Sequence, residues 1–469
     1  MRSLALVWLW RDLRLADHPA LCAALEAGHA PQLVFIDDPD GEGGWPLGAA
    51  ARIRLRHSLD ALGREVRRRG GRLLLRRGRS LEVLRDLIRT SGAVAVYWNR
   101  RVEPALVARD REVERALVGE GIEVRTFWAA GWADPATVRN RQGLPWRVFT
   151  PFWRHLQAQL DGLGAPLPAP RELPPCALEG LEPEALVPLP RPRWDRGFGA
   201  AGEAGEAAAW RRLDGFLERL ADYPVHRDRP DLQACSGLST HLALGEIGPQ
   251  QILARLRDGP RRPDAPAQSF LRQIGWREFA IHLLWHFPQS ADADLTPALR
   301  GLAWREPDPD LLRAWQQGRT GIPLVDAGMR ELWATGRMHN RVRMVVASLL
   351  TRNLRYHWRH GARWFWDTLV DADLANNTLG WQWVAGTGAD AAPYFRIFNP
   401  VTQGERFDPD GAYVRRWVPE LRKLPARWVH RPWQAPAGMR LGGDYSLPPR
   451  VDLAATREAA LAAYRAMRA

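Results

Sequence analysis

The chain has 469 residues, enough for two or more domains with sizeable cores. Its 66 Lys and Arg outweigh 53 Asp and Glu by +13, and Lys423 is the only lysine, so the basic surface is one of guanidinium forks suited to phosphate, with nucleic acid the obvious partner. Cys22, Cys176 and Cys235 have neither the number nor the spacing for a disulfide framework, a zinc site or a four-cysteine cluster, and no apolar stretch approaches the ~20 residues that span a bilayer, which points to a reducing, cytosolic setting with no membrane and no metal.

Residues 4–10 read as a buried strand, 19–27 as a helix, 32–36 as a strand and 50–69 as a helix with arginines on its outer face. Then come a strand at 72–76, a helix at 81–90, a strand at 93–98, a helix at 105–118 and a strand at 123–127. Strands alternating with helices predict a parallel, Rossmann-like, doubly wound α/β sheet. No G-x-G-x-x-G follows the first strand, so the usual dinucleotide site is not supported. The arginines from 64 to 79 read as a solvated face. Prolines and glycines crowd 164–193, which therefore cannot be one regular element, and one short helix is expected near 148–160. Beyond 207 the pattern is helical almost to the end, with Val342, Val345, Val346, Leu349 and Leu350 at core spacing. The domain reading is 1–132 for the α/β part, 133–205 for a connection and 206–469 for an all-α part.

Tryptophan is the anomaly, 23 against 7 tyrosines. The stretch 371–400, DADLANNTLGWQWVAGTGADAAPYFRIFNP, packs two acids, Asn376 and Asn377, and the pair Trp381 and Trp383 more densely than a clean amphipathic helix or strand allows. Amides and large aromatics together suit the lining of a flat, hydrogen-bonding ring cofactor. On a helix Trp381 and Trp383 would point about 200° apart, one inward and one outward. Ser236, Gly237 and Ser239, in CSGLSTHLALGEIGP, offer hydroxyls and N–H groups before a helix, as a phosphate site would.

These segments, with VWLWRDLRLADHPAL, WRVFTPFWRHL, WREF, GRTGIPLVDAGMREL and MHNRVRM, resemble the motifs of the photolyase/cryptochrome family over nearly the whole chain. The likeness is greatest to the members that repair cyclobutane pyrimidine dimers. It implies FAD held in a bent form by the helical domain and used as the reduced anion. Tyr223, Cys235, Ser236, Gly237, Leu238 and Ser239 would embrace the phosphates and ribityl chain, and Phe270 belongs to the same set. Arg343 would pair with Asp371, Asp373 would also serve the flavin, and Asn377 would sit at its N5. Trp381, Trp358 and Trp304 match a chain of indoles that carries electrons inward. Trp276 and Trp383 match aromatic walls for a flipped-out dimer. Asn340, Arg341 and Met344 match positions near the lesion, and Arg227, Arg277, Arg396 and Gln403 match contacts to the damaged strand.

Gln273 stands where most dimer-repairing members have glutamate, as in the (6-4) branch. The histidines of that branch would fall at Asn340 and Met344, so the cyclobutane reading is kept. Cys235 replaces a common threonine and lacks its hydroxyl. Leu106 takes the place of an acid that contacts methenyltetrahydrofolate in some relatives, leaving a folate, a deazaflavin or no antenna pigment open. The expected activity is light-driven splitting of pyrimidine dimers in DNA by a cytoplasmic monomer. The alternatives are a blue-light receptor that signals without repair and a (6-4) enzyme.

Overall fold

The computed structural model describes residues 2–198, 203–258, 264–296, 304–390, 396–439 and 445–468. The chain folds as two compact units: Met1–Ala221 with Ser236–Pro288 and Val370–Ala375, and Asp222–Cys235 with Gln289–Leu369 and Asn376–Ala469. Residues 391–395, within the 371–400 motif, lie outside the described residues.

The first unit is built on strands β1 (Leu4–Leu9), β2 (Ala30–Asp37), β3 (Leu74–Arg77), β4 (Ala95–Asn99) and β5 (Glu123–Phe127), all parallel, in the order β3-β2-β1-β4-β5. Val7 of β1 lies between Leu33 and Tyr97, the centre of the sheet. β1, β2 and β4 are buried along nearly their whole length, which is why they read as unbroken apolar runs rather than as alternation. The chain reverses its direction of growth between β1 and β4, so the sheet is doubly wound, as expected.

Helices α1 (Pro19–Glu26), α2 (Ala49–Arg68), α3 (Ser80–Ser91) and α4 (Pro104–Gly119) link the strands. α1 starts at a proline, and His18 Nδ1 accepts from Leu21 N at 3.1 Å to cap it. α2 buries Ile53, Leu55, Leu59, Leu62 and Val66 and turns Arg64, Arg67 and Arg68 outward. Leu6, Trp8, Val34, Ile36, Leu74, Leu84, Val96 and Trp98 form one core under the sheet. Burying such a side chain contributes roughly 1.5–3 kcal/mol.

The unit continues through α5 (Phe149–Leu160), the single turn α6 (Pro183–Leu186), α7 (Glu206–Leu217), and then α9 (Ser239–Ala243), α10 (Pro249–Arg257) and α11 (Ala265–His286). α5 is the one helix expected between 133 and 205. α6 corrects that count, beginning at a proline within the irregular stretch.

The second unit is helical: α8 (Tyr223–His226), α12 (Pro309–Gln316), α13 (Pro323–Thr335), α14 (Asn340–Ser348), α15 (Trp358–Thr368), α16 (Leu374–Ala385), α17 (Pro400–Phe407), α18 (Ala412–Trp417), α19 (Ala426–Val429) and α20 (Leu453–Arg468). α14 runs into a widened π-turn at Leu349–Asn353, with Leu349 and Leu350 buried. The 371–400 stretch was expected to fit no clean helix, yet its residues 374–385 are one. Gly380 is the only exposed residue of α16, so a helix enclosed on this many sides has no polar face to set an amphipathic rhythm. Among the described residues no helix is long and apolar enough to cross a membrane.

Candidate functional site

In the first unit, the turn before α9 is shaped by Gly237. Its φ of +66° is left-handed, and a Cβ there would come within 2.8 Å of the Arg212 guanidinium. Ser236 Oγ accepts from Leu238 N at 3.3 Å. The N-cap of α9 is Leu238 rather than a serine, and no side chain caps this five-residue helix. Leu238 is buried, Ser236 is half-buried, and Gly237 and Ser239 are exposed.

α11 is launched by Asp264, whose carboxylate accepts from Ala267 N at 3.1 Å. Phe270 is buried against Phe216, ring centroids 4.7 Å apart. Gly275 lets the helix lie directly on the Trp153 ring, where a Cβ would collide. Trp276 is half-buried and stacks face to face on Phe149 at 3.6 Å and 8°. Gln273 is half-buried one turn earlier. Arg277 donates to Ala130 O at 2.5 Å and Leu242 O at 3.4 Å, so part of its fork is engaged within the protein.

Glu278 escaped the sequence reading. It is buried and accepts from Trp132 N at 3.0 Å, and burial pushes its carboxyl up to about 7. Asp371 is buried and Asp373 half-buried, and the backbone between them is pinned by Arg11 Nη1 donating to Ala372 O at 3.0 Å.

In the second unit, Tyr223 is buried and its phenol is pushed up to about 12 by burial, with the Arg227 guanidinium 5.4 Å from its ring. The exposed Cys235 directs its thiol to Arg227 O at 3.5 Å, and its sulfur lies 3.5 Å from His339 Nε2. His339 Nδ1 accepts from Arg341 N at 3.1 Å, capping α14, and burial lowers this imidazole to about 4.

Asn340 is exposed, with its amide 3.9 Å from Met344 Sδ. Arg341 forms an ion pair with Asp228 at 2.7 Å and covers the Phe407 ring at 4.4 Å. Arg343 Nε donates to Met338 O at 2.8 Å. Arg396 is exposed over Phe398 at 4.7 Å. Gln403, half-buried on α17, keeps a buried Oε1 with no hydrogen-bond partner among the described residues.

α16 presents its side chains as the helical phase requires. Trp381 is buried and Trp383 half-buried, on different sides of the helix. Asn377 Nδ2 donates to Ala362 O at 2.9 Å, which fixes the amide and turns its oxygen the other way. Trp381 lies 5.0 Å from Phe365 and 6.3 Å from Trp315, and Gly361 of α15 is flush against its ring. Trp358, fully buried, donates its indole N–H to Asp294 Oδ1 at 2.7 Å. His357 sits between Trp358 and Trp304, ring centroids 5.5 and 5.2 Å away. Among the described residues no His, Cys, Asp and Glu side chains cluster as a metal site would need.

Residues 5–172 match the family described as DNA photolyase, and residues 270–466 match the FAD binding domain of DNA photolyase. The deoxyribodipyrimidine photo-lyase of Agrobacterium fabrum is 44% identical over 99% of this chain and 98% of its own. Cryptochrome-1 of Arabidopsis thaliana is 36% identical over 95% of this chain and 68% of its own. The crystal structure of a class III photolyase from Agrobacterium tumefaciens superposes with a TM-score of 0.92 at 42% identity, covering 100% of this chain and 98% of that one. Fold, motifs and full-length likeness agree: the chain belongs to the DNA photolyase/cryptochrome family.

Proposed function

We propose that this protein splits cyclobutane pyrimidine dimers in DNA with light absorbed by a bound, reduced, anionic FAD. The observation that carries the reading is the full-length likeness to a protein named deoxyribodipyrimidine photo-lyase, stronger than that to the cryptochromes. Trp276 and Trp383, assigned as aromatic walls for a flipped base, are each half-buried and so keep part of the indole accessible, which supports it.

The residues present fit FAD. The left-handed Gly237 turn (φ +66°) brings its backbone close to the Arg212 guanidinium, and the uncapped N–H groups after it suit a phosphate. Ser236, Gly237, Leu238 and Ser239, with Tyr223 and Cys235, are assigned to the diphosphate and ribityl chain. Phe270, Arg343, Asp371, Asp373 and Asn377 are assigned to the rest of the cofactor. FAD, when bound and reduced, supplies the electron that opens the cyclobutane ring and recovers it afterwards. Asn377, held by Ala362 O, orients a neutral amide that adjusts its hydrogen bond without adding charge. Trp381, Trp358 and Trp304 are assigned to electron supply toward oxidised flavin. Trp276 and Trp383 exclude water from a flipped dimer, while Gln273, Asn340, Arg341 and Met344 contact the lesion. Arg227, Arg396, Gln403 and the remaining donor capacity of Arg277 meet the damaged strand.

The domains are assigned as 1–132, 133–205 and 206–469, and the protein acts as a cytoplasmic, nucleoid-associated monomer. A folate or deazaflavin antenna is compatible with this assignment.

The test uses chemically reduced, flavin-loaded protein under anaerobic blue light with two oligonucleotides, one bearing a cyclobutane thymine dimer and one a (6-4) product. Light-dependent restoration of the first alone is expected. Repair of the second alone would place the chain on the other repair branch through Gln273, and repair of neither would favour the receptor.

A further inference from the structure

An indole N–H buried in a protein usually finds a hydrogen-bond partner, and for Trp315 Nε1 it is a neutral carbonyl, Val346 O at 3.1 Å. Trp358 ends on a carboxylate instead, Asp294 Oδ1, at 2.7 Å, and the acid is itself mostly withdrawn from water, with 12% of its side chain exposed. Asp294 belongs to no helix or strand, so its position needs an explanation. Gln382, between the two tryptophans of α16, supplies it. Its Nε2 donates to Ser290 O at 2.7 Å and to Ala293 O at 3.0 Å, and its Oε1 accepts from Leu295 N at 2.9 Å. Thr296 N adds a bond to Thr387 O at 2.9 Å. The segment on both sides of Asp294 is thus tied to the helix that bears Trp381.

We propose that Asp294 is the proton acceptor for Trp358 when that indole is oxidised, with Gln382 as its positioning residue. This rests on the assignment of Trp358 to the electron chain. Trp358 gives one electron to the oxidised Trp381 ring and becomes an indole radical cation, a far stronger acid than neutral indole. The proton on Nε1 crosses the existing hydrogen bond to Oδ1, leaving a neutral indole radical and an uncharged Asp294. One electron from an external thiol, entering through Trp304, then reduces the radical, and the proton returns to Nε1. Before the proton moves, the carboxylate stabilises the cation by charge. After it moves, the electron cannot return to Trp358 without the proton, so the separated charges persist.

Among the described residues, His357 is the titratable side chain set against Asp294, with Arg359 and His360 acting on His357 in turn. His357 Nε2 lies 3.9 Å from Oδ1, its Nδ1 accepts from Arg359 N at 3.2 Å, and burial makes the imidazole a weaker base. Asp292 faces Arg363 at 3.5 Å. Neither competes for the indole proton.

The experiment is transient absorption on flavin-loaded Trp304→Phe protein, in which the oxidising equivalent stops at Trp358, in H2O and D2O, with and without Asp294→Asn. Asparagine keeps the shape and an acceptor oxygen but is not a base. Expected in Trp304→Phe is the deprotonated indole radical, formed with a solvent isotope effect. Adding Asp294→Asn should leave the radical protonated, abolish the isotope effect and shorten its lifetime roughly tenfold. A protonated radical and no isotope effect in Trp304→Phe with Asp294 intact would overturn the proposal, and this arm needs no change at Asp294. Unchanged photoreduction in Trp358→Phe would instead overturn the electron-chain assignment, which separates the two failures.

Discussion

In the unit that carries the sheet, buried charge meets buried charge. Arg54 Nη2 donates to Glu246 Oε2 at 2.7 Å with both side chains almost fully enclosed, and His241 Nδ1 reaches the same oxygen at 2.5 Å. Burial alone would raise Asp12, but His18 at 3.1 Å and Asn99 at 2.8 Å hold its carboxyl down to about 2. In the helical unit the recurring device is a neutral amide or a ring nitrogen tied to backbone: Gln382 on the 290–296 segment, Asn377 on Ala362 O, His339 on Arg341 N. Ion pairs lock a scaffold that has no reason to change its charge. Neutral ties add no charge of their own around Trp381 and Asn377, while the Asp294 carboxylate stands at Trp358, the one indole of the assigned chain described as bonded to an acid.

Five substitutions would break or sharpen that contrast. Arg54→Met should destabilise most, by about 3–5 kcal/mol in urea unfolding, because it removes the guanidinium that balances the buried Glu246 charge and leaves that carboxylate to His241 and Gly205 N. Adding Glu246→Leu should restore part of the loss, and a double mutant no better than the single would mean that packing, not charge, matters there. Gln382→Leu should cost about 2–4 kcal/mol, since Ser290 O, Ala293 O and Leu295 N lose their partner together. Gly361→Ala should cost about 1–3 kcal/mol by pushing a methyl into the Trp381 ring, with a shifted indole emission.

His339→Asn should show the smallest effect, visible only against pH. The unfolded imidazole takes its proton near 6.5, whereas the folded one resists it down to about 4. The unfolded state therefore binds more protons in that window, and the contribution of His339 to stability is lost as pH falls from about 6.5 to about 4. Asparagine can still cap α14 but does not titrate, so the wild-type minus variant difference should flatten. A difference that is constant over this range would mean the ring is protonated in the folded protein.

The parallel strands were legible because strands covered on both faces must be apolar throughout, and VWLW and LVFI are such runs. The opposed directions of Trp381 and Trp383 followed from spacing alone. Gln382, between them, was passed over because a glutamine has no fixed meaning until its three partners, some 90 positions earlier, are in place. Asp294 was unreadable for the same reason: an acid in an irregular segment becomes a partner of Trp358 only through that anchoring. Phe149 was quoted only as part of a motif, since nothing local says it will meet Trp276. The engagement of Arg277 depends on carbonyls at 130 and 242 that no spacing rule connects.

The stack of Phe149 on Trp276 has a geometric consequence. An indole has two faces, and the Phe149 ring, itself fully buried, covers one of them at 3.6 Å. One face of Trp276 is therefore already taken: a flat ring could come between the two only by prising apart a closed stack, so any further stacking on this indole must use its other face.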